Sequence, residues 1–372
     1  MRKLLVLLTA LSLLASCFGG GKVIESQLAS MTLEEKVGQM FVVRPEALDT
    51  VCWTMDKIQS RNIVAVTDSM RLKALKYPMG GVIILDHNIV DPQQLTQLTK
   101  DIHALPGKPL IYIDEEGGRV LRLANNPAFN LMKEPSLQSM AAMGKTSTVY
   151  EAGMYIGSYL AKYGIDVDLA PVADVNTNPY NVVIGDRAFS TDPNVAAPMV
   201  KNFIKGLQRT GVIGCIKHFP GHGDTQSDTN YGYAMSRKSW EEIRNCEMIP
   251  FRAGIKAGAK LVLVAHISLP NVLKTNIPAS MSSTILQDKL RGEMGYNGVI
   301  MTDSMGMGAI VRQYAVQDAC IMAIKAGADV LLCVPDYPTV FNAVIAAVRS
   351  GEIPESRIDE SVRRILTLKA GR

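Results

Sequence analysis

Val212-Ile213-Gly214-Cys215-Ile216 carries no charged side chain for five residues and then runs directly into Lys217-His218. A continuous apolar run of this length suits a strand covered on both faces, whereas a strand with one wet face alternates. The polar pair behind it marks where the strand ends and a loop begins. The same transition recurs three times. Ile111-Tyr112-Ile113 gives way to Asp114-Glu115-Glu116-Gly117-Gly118-Arg119, Val262-Leu263-Val264-Ala265 to His266, and Val299-Ile300-Met301-Thr302 to Asp303.

Working outward, further short β-branched runs predict strands at Phe41 to Val43, Gly81 to Leu85, Leu110 to Ile113, Ile165 to Leu169, Val212 to Ile216, Leu261 to Ala265, Gly298 to Thr302 and Ala328 to Leu332. Segments between them, such as Pro198 to Arg209 and Tyr314 to Ala326, have helical periodicity, as right-handed crossovers require. The fold class expected is therefore α/β, a closed (β/α)8 TIM-type barrel forming a single catalytic domain. Its reactive groups belong at the strand ends, because only that face gathers several strands around one pocket. Thr32-Leu33-Glu34-Glu35 is a capping-box signal for a first helix beginning near Leu33. Arg44 to Tyr77 is longer than a simple crossover and is expected to decorate the first βα unit. No linker or second domain is read before Arg372.

The chain has 372 residues, with 39 Lys and Arg against 35 Asp and Glu. With no long single-sign run, neither a nucleic-acid stripe nor a polybasic membrane patch is supported, and a small neutral partner fits better. Arg2-Lys3 before the apolar stretch from Leu4 to Leu14 suits a signal-peptide core, too short to span a bilayer as a mature helix. The stretch ends in Leu14-Ala15-Ser16-Cys17, which resembles a bacterial lipobox. That resemblance implies residues 1–16 as a cleaved signal peptide, lipid attachment at Cys17, and residues 17–30 as lipidated cysteine and tether, with 31–372 as the barrel. Phe18-Gly19-Gly20-Gly21 follows Cys17 directly with no acidic residue, so the expected location is the periplasmic face of the outer membrane. Cys52, Cys215, Cys246, Cys320 and Cys333 have no metal-type spacing and read as small buried apolar residues.

Any one strand-terminal charge could be a helix cap or a structural ion pair; four together point to a site. Carboxylates and cations converging on one rim suit hydroxyl recognition and stabilisation of an oxocarbenium-like transition state. In order, Asp114 to Val120, Gly185-Asp186-Arg187-Ala188-Phe189, Lys217-His218-Phe219-Pro220-Gly221-His222-Gly223-Asp224, Ala265-His266-Ile267 and Thr302-Asp303-Ser304-Met305 resemble the signature blocks of family 3 glycoside hydrolases, in their β-N-acetylglucosaminidase branch. The resemblance runs from Leu33 to Ala370. It implies a retaining exo-β-N-acetylglucosaminidase acting on terminal β-linked N-acetylglucosamine, from cell-wall muropeptides or related glycans, with no cofactor and no metal. Asp303 would be the nucleophile. Asp114, Arg122, Arg187, Lys217, His218 and His266 would serve the terminal sugar subsite, with His266 equally readable as a satisfied pocket histidine. Adjacent Glu115 and Glu116 diverge in direction and read as structural.

The sequence departs from the family pattern at one place. The branch places an Asp-Ser-His acid/base dyad on the loop after the Lys-His block, and here the aligned triplet is Asp228-Thr229-Asn230. An Asn amide does not titrate near neutral pH, while a positioned general acid or base contributes about 10² to 10⁴ in rate. Asp228, Asp224 or His222 could substitute, His222 least well because in the family block it packs the loop. Three readings follow: an active enzyme with Asp228 as reassigned acid, a degenerate barrel that binds sugar but turns over slowly, and metal-dependent hydrolysis through His218 and His222. The last suffers from Pro220, Gly221 and Gly223, which break the helix that a four-residue spacing needs.

Overall fold

All eight apolar runs form strands, and in the computed structural model, which describes residues 21–49, 62–225 and 234–371, they close into a barrel. In chain order the barrel strands are β1 (Phe41–Val43), β2 (Gly81–Ile83), β3 (Leu110–Ile113), β4 (Val167–Asp168), β5 (Ile213–Phe219), β6 (Leu261–Val264), β7 (Val299–Ser304) and β8 (Val330–Leu332). Each pairs in parallel with its neighbours in sequence, and β1 closes on β8 through Phe41 opposite Leu331. Nearly every strand residue is buried, as continuous apolar runs require of strands lined by helices outside and side chains within. Interior packing leaves little slack. A Cβ on Gly81 would stand 2.4 Å from the Tyr112 ring and 2.9 Å from Val42, so only glycine admits that ring between β1 and β3.

Two strands run further than expected, and both carry the site. Continuing past Ile216, β5 takes in Lys217 and His218 and pairs Phe219 with Val264 after a register shift. Strand β7 extends through Asp303 and Ser304. These polar side chains therefore project from strand backbone. The Lys217-His218 and Phe219-Pro220 peptides are cis.

The capping box forms as read. Thr32 Oγ1 accepts from Glu35 N–H at 3.2 Å and Glu35 Oε2 accepts from Thr32 N–H at 2.8 Å, opening the helix Leu33–Gln39. The crossover expected from Pro198 starts earlier, as the helix Pro193–Gln208: Asp192 caps it through Asn194 N–H and Pro193 occupies its first turn. Part of the expected tether is helical. Residues 21–30 are helical, Leu28 is buried in the core, and Glu25 pairs with Arg363 on the helix Glu355–Ala370. An amphipathic segment with a buried leucine gains more from packing than from remaining solvated. After β1, the short helix Pro45–Leu48 and the helix Asp68–Lys76 decorate the first βα unit. A parallel two-stranded ribbon, Ala234–Met235 with Ile267–Ser268, lies outside the barrel.

Candidate active site

A pocket of about 520 Å³ opens at the C-terminal ends of the strands, and Asp114, Arg122, Arg187, Lys217, His218 and Asp303 all line it. Its centre is an ion-pair cluster. Lys217, which follows the apolar run on β5, places Nζ 2.7 Å from Asp114 Oδ1 and 2.6 Å from Glu116 Oε1. Arg187, from the loop after β4, binds Glu116 through both ends of its fork, Nε to Oε2 at 2.9 Å and Nη2 to Oε1 at 2.8 Å. Such a bidentate contact fixes orientation as well as charge. Burial pushes the Glu116 and Asp114 carboxyls up, but Arg187 and Lys217 on the first, and Lys217 and Arg122 on the second, outweigh it and hold both below the ordinary carboxylate range. Reciprocally, burial pushes the Lys217 ammonium down while Asp114 and Glu116 raise it above its usual value. The cluster stays charged across the whole neutral range, and Asp114, with 20% of its side chain exposed, offers the pocket an anionic acceptor. Arg122 Nη2 approaches Asp114 Oδ2 at 3.8 Å.

His218 faces the pocket with its orientation set from behind. Its Nδ1 lies 2.7 Å from Asp174 Oδ2, and the same carboxylate accepts the His222 backbone N–H at 2.6 Å. Asp174 is fully buried; burial raises its pKa, and the charge and hydrogen bond of His218 more than reverse this. Asp174 is absent from the residues picked out by sequence. The signal was available in Pro171-Val172-Ala173-Asp174, another apolar run ending in a carboxylate. Asp303 stands at the rim, its Oδ1 accepting the Ser304 N–H at 2.7 Å.

His266 is placed differently from a sugar-binding residue. It is wholly buried behind the pocket, with Nδ1 2.6 Å from Ser280 Oγ and Nε2 3.0 Å from the Ser304 carbonyl oxygen. Both ring nitrogens are consumed within the protein, so no polar atom is left for a substrate, and the reading of a satisfied histidine is the one the geometry supports. Glu115 is likewise internal. Its carboxylate accepts the backbone N–H groups of Arg122, Leu123 and Ala124 and the Tyr159 hydroxyl, shaping the loop that carries Arg122. Glu116 is structural too, yet lies in the pocket wall.

Of the acids considered in place of the missing histidine, Asp224 is already engaged. Its Oδ2 accepts from Ser236 Oγ at 2.6 Å, and its Oδ1 lies 3.3 Å from Thr177 Oγ1 and 3.6 Å from Lys238 Nζ. His222 is buried against the loop with Nδ1 2.7 Å from Thr225 Oγ1, and burial followed by the nearby His218 pushes its pKa down. Asp228, Asn230 and Cys17 lie outside the described residues. Among the described residues, no group of three or more His, Cys, Asp or Glu is placed to hold a metal ion. Cys215, Cys320 and Cys333 are buried free thiols as read, Cys246 is only half-buried, and Cys52 lies outside the described residues.

Comparison with known proteins agrees with this geometry. Residues 32–368 match the glycosyl hydrolase family 3 N-terminal domain. A beta-hexosaminidase from Stenotrophomonas maltophilia is 35% identical over 278 residues, covering 73% of this chain and 80% of its own. The beta-hexosaminidase LpqI of Mycobacterium tuberculosis is 30% identical over 385 residues, 99% of this chain and 97% of that protein. Among solved structures, a family 3 beta-N-acetylglucosaminidase from Paenibacillus superposes with a TM-score of 0.84 at 34% identity over 92% of this chain, which spans 63% of the Paenibacillus chain. This protein is a glycoside hydrolase, a member of family 3 in the branch of the beta-hexosaminidases.

Proposed function

We propose that the protein is a retaining exo-β-N-acetylglucosaminidase. The observation that carries this reading is Asp303, held at the rim by the Ser304 N–H in the same pocket as the Asp114, Lys217, Glu116 and Arg187 cluster. The cluster and His218 bind the hydroxyls of a terminal sugar, and Asp303 attacks its anomeric carbon. The bond from that carbon to the leaving oxygen breaks, the acid protonates the oxygen, and a glycosyl-aspartate forms. Water then adds to the same carbon, gives its proton to the residue that had acted as acid, and releases the sugar with its configuration retained. Asp228 is the acid in this reading: Asp224 is tied to Ser236, Thr177 and Lys238, and His222 is buried. The likeness to the Paenibacillus beta-N-acetylglucosaminidase supports N-acetylglucosamine as the sugar, and the relatives named beta-hexosaminidases support a hexosaminide. Cell-wall fragments are the proposed source, with the protein lipid-anchored at Cys17 on the periplasmic face of the outer membrane.

A second reading follows from Asn230 standing where the family has histidine: a barrel that binds sugar and hydrolyses it weakly. Hydrolysis of an aryl β-N-acetylglucosaminide beside a β-1,4-linked cell-wall disaccharide separates the two, because a phenolate leaves without a proton and a sugar alkoxide does not. Ordinary rates on both support the enzyme; cleavage of the aryl substrate alone supports the impaired barrel. The aryl β-glucoside should be cleaved far more slowly than the aryl β-N-acetylglucosaminide, and equal kcat/KM on the two would refute the sugar assignment.

A further inference from the structure

We infer that His266 is a positioning residue for the Asp303 carboxylate, acting through the backbone of Ser304; this rests on Asp303 being the nucleophile. The chain of contacts is continuous. Ser280 Oγ meets His266 Nδ1 at 2.6 Å, His266 Nε2 meets the Ser304 carbonyl oxygen at 3.0 Å, and Ser304 N–H donates to Asp303 Oδ1 at 2.7 Å. A carbonyl has no proton to give, so Nε2 carries the ring hydrogen, and Nδ1 accepts the Ser280 hydroxyl proton. Burial favours the neutral imidazole this arrangement needs.

Ser304 is thereby fixed on both sides. Its carbonyl takes two donors, His266 Nε2 and the Met307 N–H at 3.0 Å, and its N–H is spent on the nucleophile. The other end of that same peptide is pinned as well, Met305 N–H donating to the Leu332 carbonyl at 2.8 Å. Rotation of Ser304 would turn its N–H away from Asp303, releasing the carboxylate oxygen and withdrawing the donor that stabilises the anion when the glycosyl ester is hydrolysed. His266 and Ser280 are both wholly buried, so water cannot replace either contact without opening the core. Packing alone would be met by any ring of this size. What singles out histidine is a donor and an acceptor on opposite edges, one for the Ser304 carbonyl and one for the Ser280 hydroxyl.

The test compares His266→Phe, which fills the space without a donor, with His266→Gln, whose amide nitrogen reproduces Nε2, and with Ser280→Ala. Competent sites are counted by stoichiometric trapping with a mechanism-based fluorosugar, and kcat per trapped site and KM are measured separately on an aryl β-N-acetylglucosaminide. His266→Phe should lower kcat per trapped site by about 30- to 100-fold with KM within about 3-fold, because a misplacement near 1 Å costs on the order of 10² in rate while binding is set by other groups. His266→Gln should recover most of the loss. Ser280→Ala should cost a few-fold alone and nothing further in the Phe background, since the two act along one path. If His266→Phe lowers only thermal stability and the number of trapped sites, with wild-type kcat per site, the inference is overturned. If the wild-type label falls on a residue other than Asp303, the nucleophile assignment fails first and this inference falls with it.

Discussion

Lys217 Nζ lies 2.6 Å from Glu116 Oε1, and neither side chain exposes more than 4% of its surface. Two charges withdrawn from water in this way are tolerable only together, and Arg187 completes the set from the other side of Glu116. Removing the carboxylate leaves the buried Arg187 without its anion and Lys217 with Asp114 alone. Glu116→Gln should therefore destabilise the fold by about 3 kcal/mol in a denaturant titration, as expected when one partner of a buried pair is lost. Asp303→Asn, at the half-buried rim, should leave stability within about 0.5 kcal/mol of wild type while abolishing turnover.

The same cluster sets an acid limb of stability. Glu116, Asp114 and Asp174 titrate below the ordinary carboxylate range because Arg187, Lys217 and His218 outweigh the burial that raises them. Their stabilisation is complete above about pH 4.5, the unfolded value, and is lost as pH falls through their lowered folded values. Burial acts the other way on Glu115 and Asp168, raising both, so they oppose folding at neutral pH and that penalty lessens on acidification. Stability against pH should rise slightly towards mild acid and then fall below about pH 4. Thermal unfolding of Glu116→Gln across this range should show a shallower acid limb than wild type.

Loop placement depends on two glycines in Pro220-Gly221-His222-Gly223. A Cβ on Gly223 would stand 1.9 Å from the Val175 carbonyl oxygen, and one on Gly221, at φ +124°, would stand 2.3 Å from Glu247 Cγ. Backbone cannot yield as a flexible side-chain tip can. Gly223→Ala should cost about 1–3 kcal/mol and reduce activity more than stability, because His222 N–H would shift from Asp174 and take the His218 support with it. Calorimetry together with kcat/KM checks both halves.

If Asn230 has simply replaced the acid/base histidine and the wild type cleaves the cell-wall disaccharide weakly, Asn230→His should raise that activity by about tenfold to a thousandfold and change aryl glycoside cleavage little, since only the former needs a proton on its leaving group. If wild type already cleaves the disaccharide well and Asp228→Asn removes that activity, Asp228 is the acid. If Asp224→Asn removes it instead, the assignment passes to the residue now tied to Ser236.

Much of this was legible in the chain because burial on both faces leaves a one-dimensional trace. The runs ending in Lys217, Asp114 and Asp303 announced both strand and site, since parallel strands under helices cannot alternate and only their ends reach solvent. Three things were not legible. The continuation of β5 through Lys217 and His218 depends on register against β6, which no local pattern encodes. The placement of His266 depends on Ser280, 14 residues away, and on Ser304, 38 away, so its neighbours in sequence say nothing about whether it faces sugar or core. The helix over residues 21–30 was hidden by the glycines before it, and its reason for folding, Leu28 in the core and Glu25 on Arg363, lies at the opposite end of the chain.

Peptide mapping of the protein after inactivation by a mechanism-based fluorosugar of N-acetylglucosamine tests the central claim most directly, because it reads which atom bonds the sugar. The account predicts one label per chain, on the peptide containing Thr302-Asp303-Ser304-Met305, with the ester at Asp303 and no labelling of Asp303→Ala. A label on Asp114, Glu116 or Asp228, or inactivation without a covalent adduct, would contradict it.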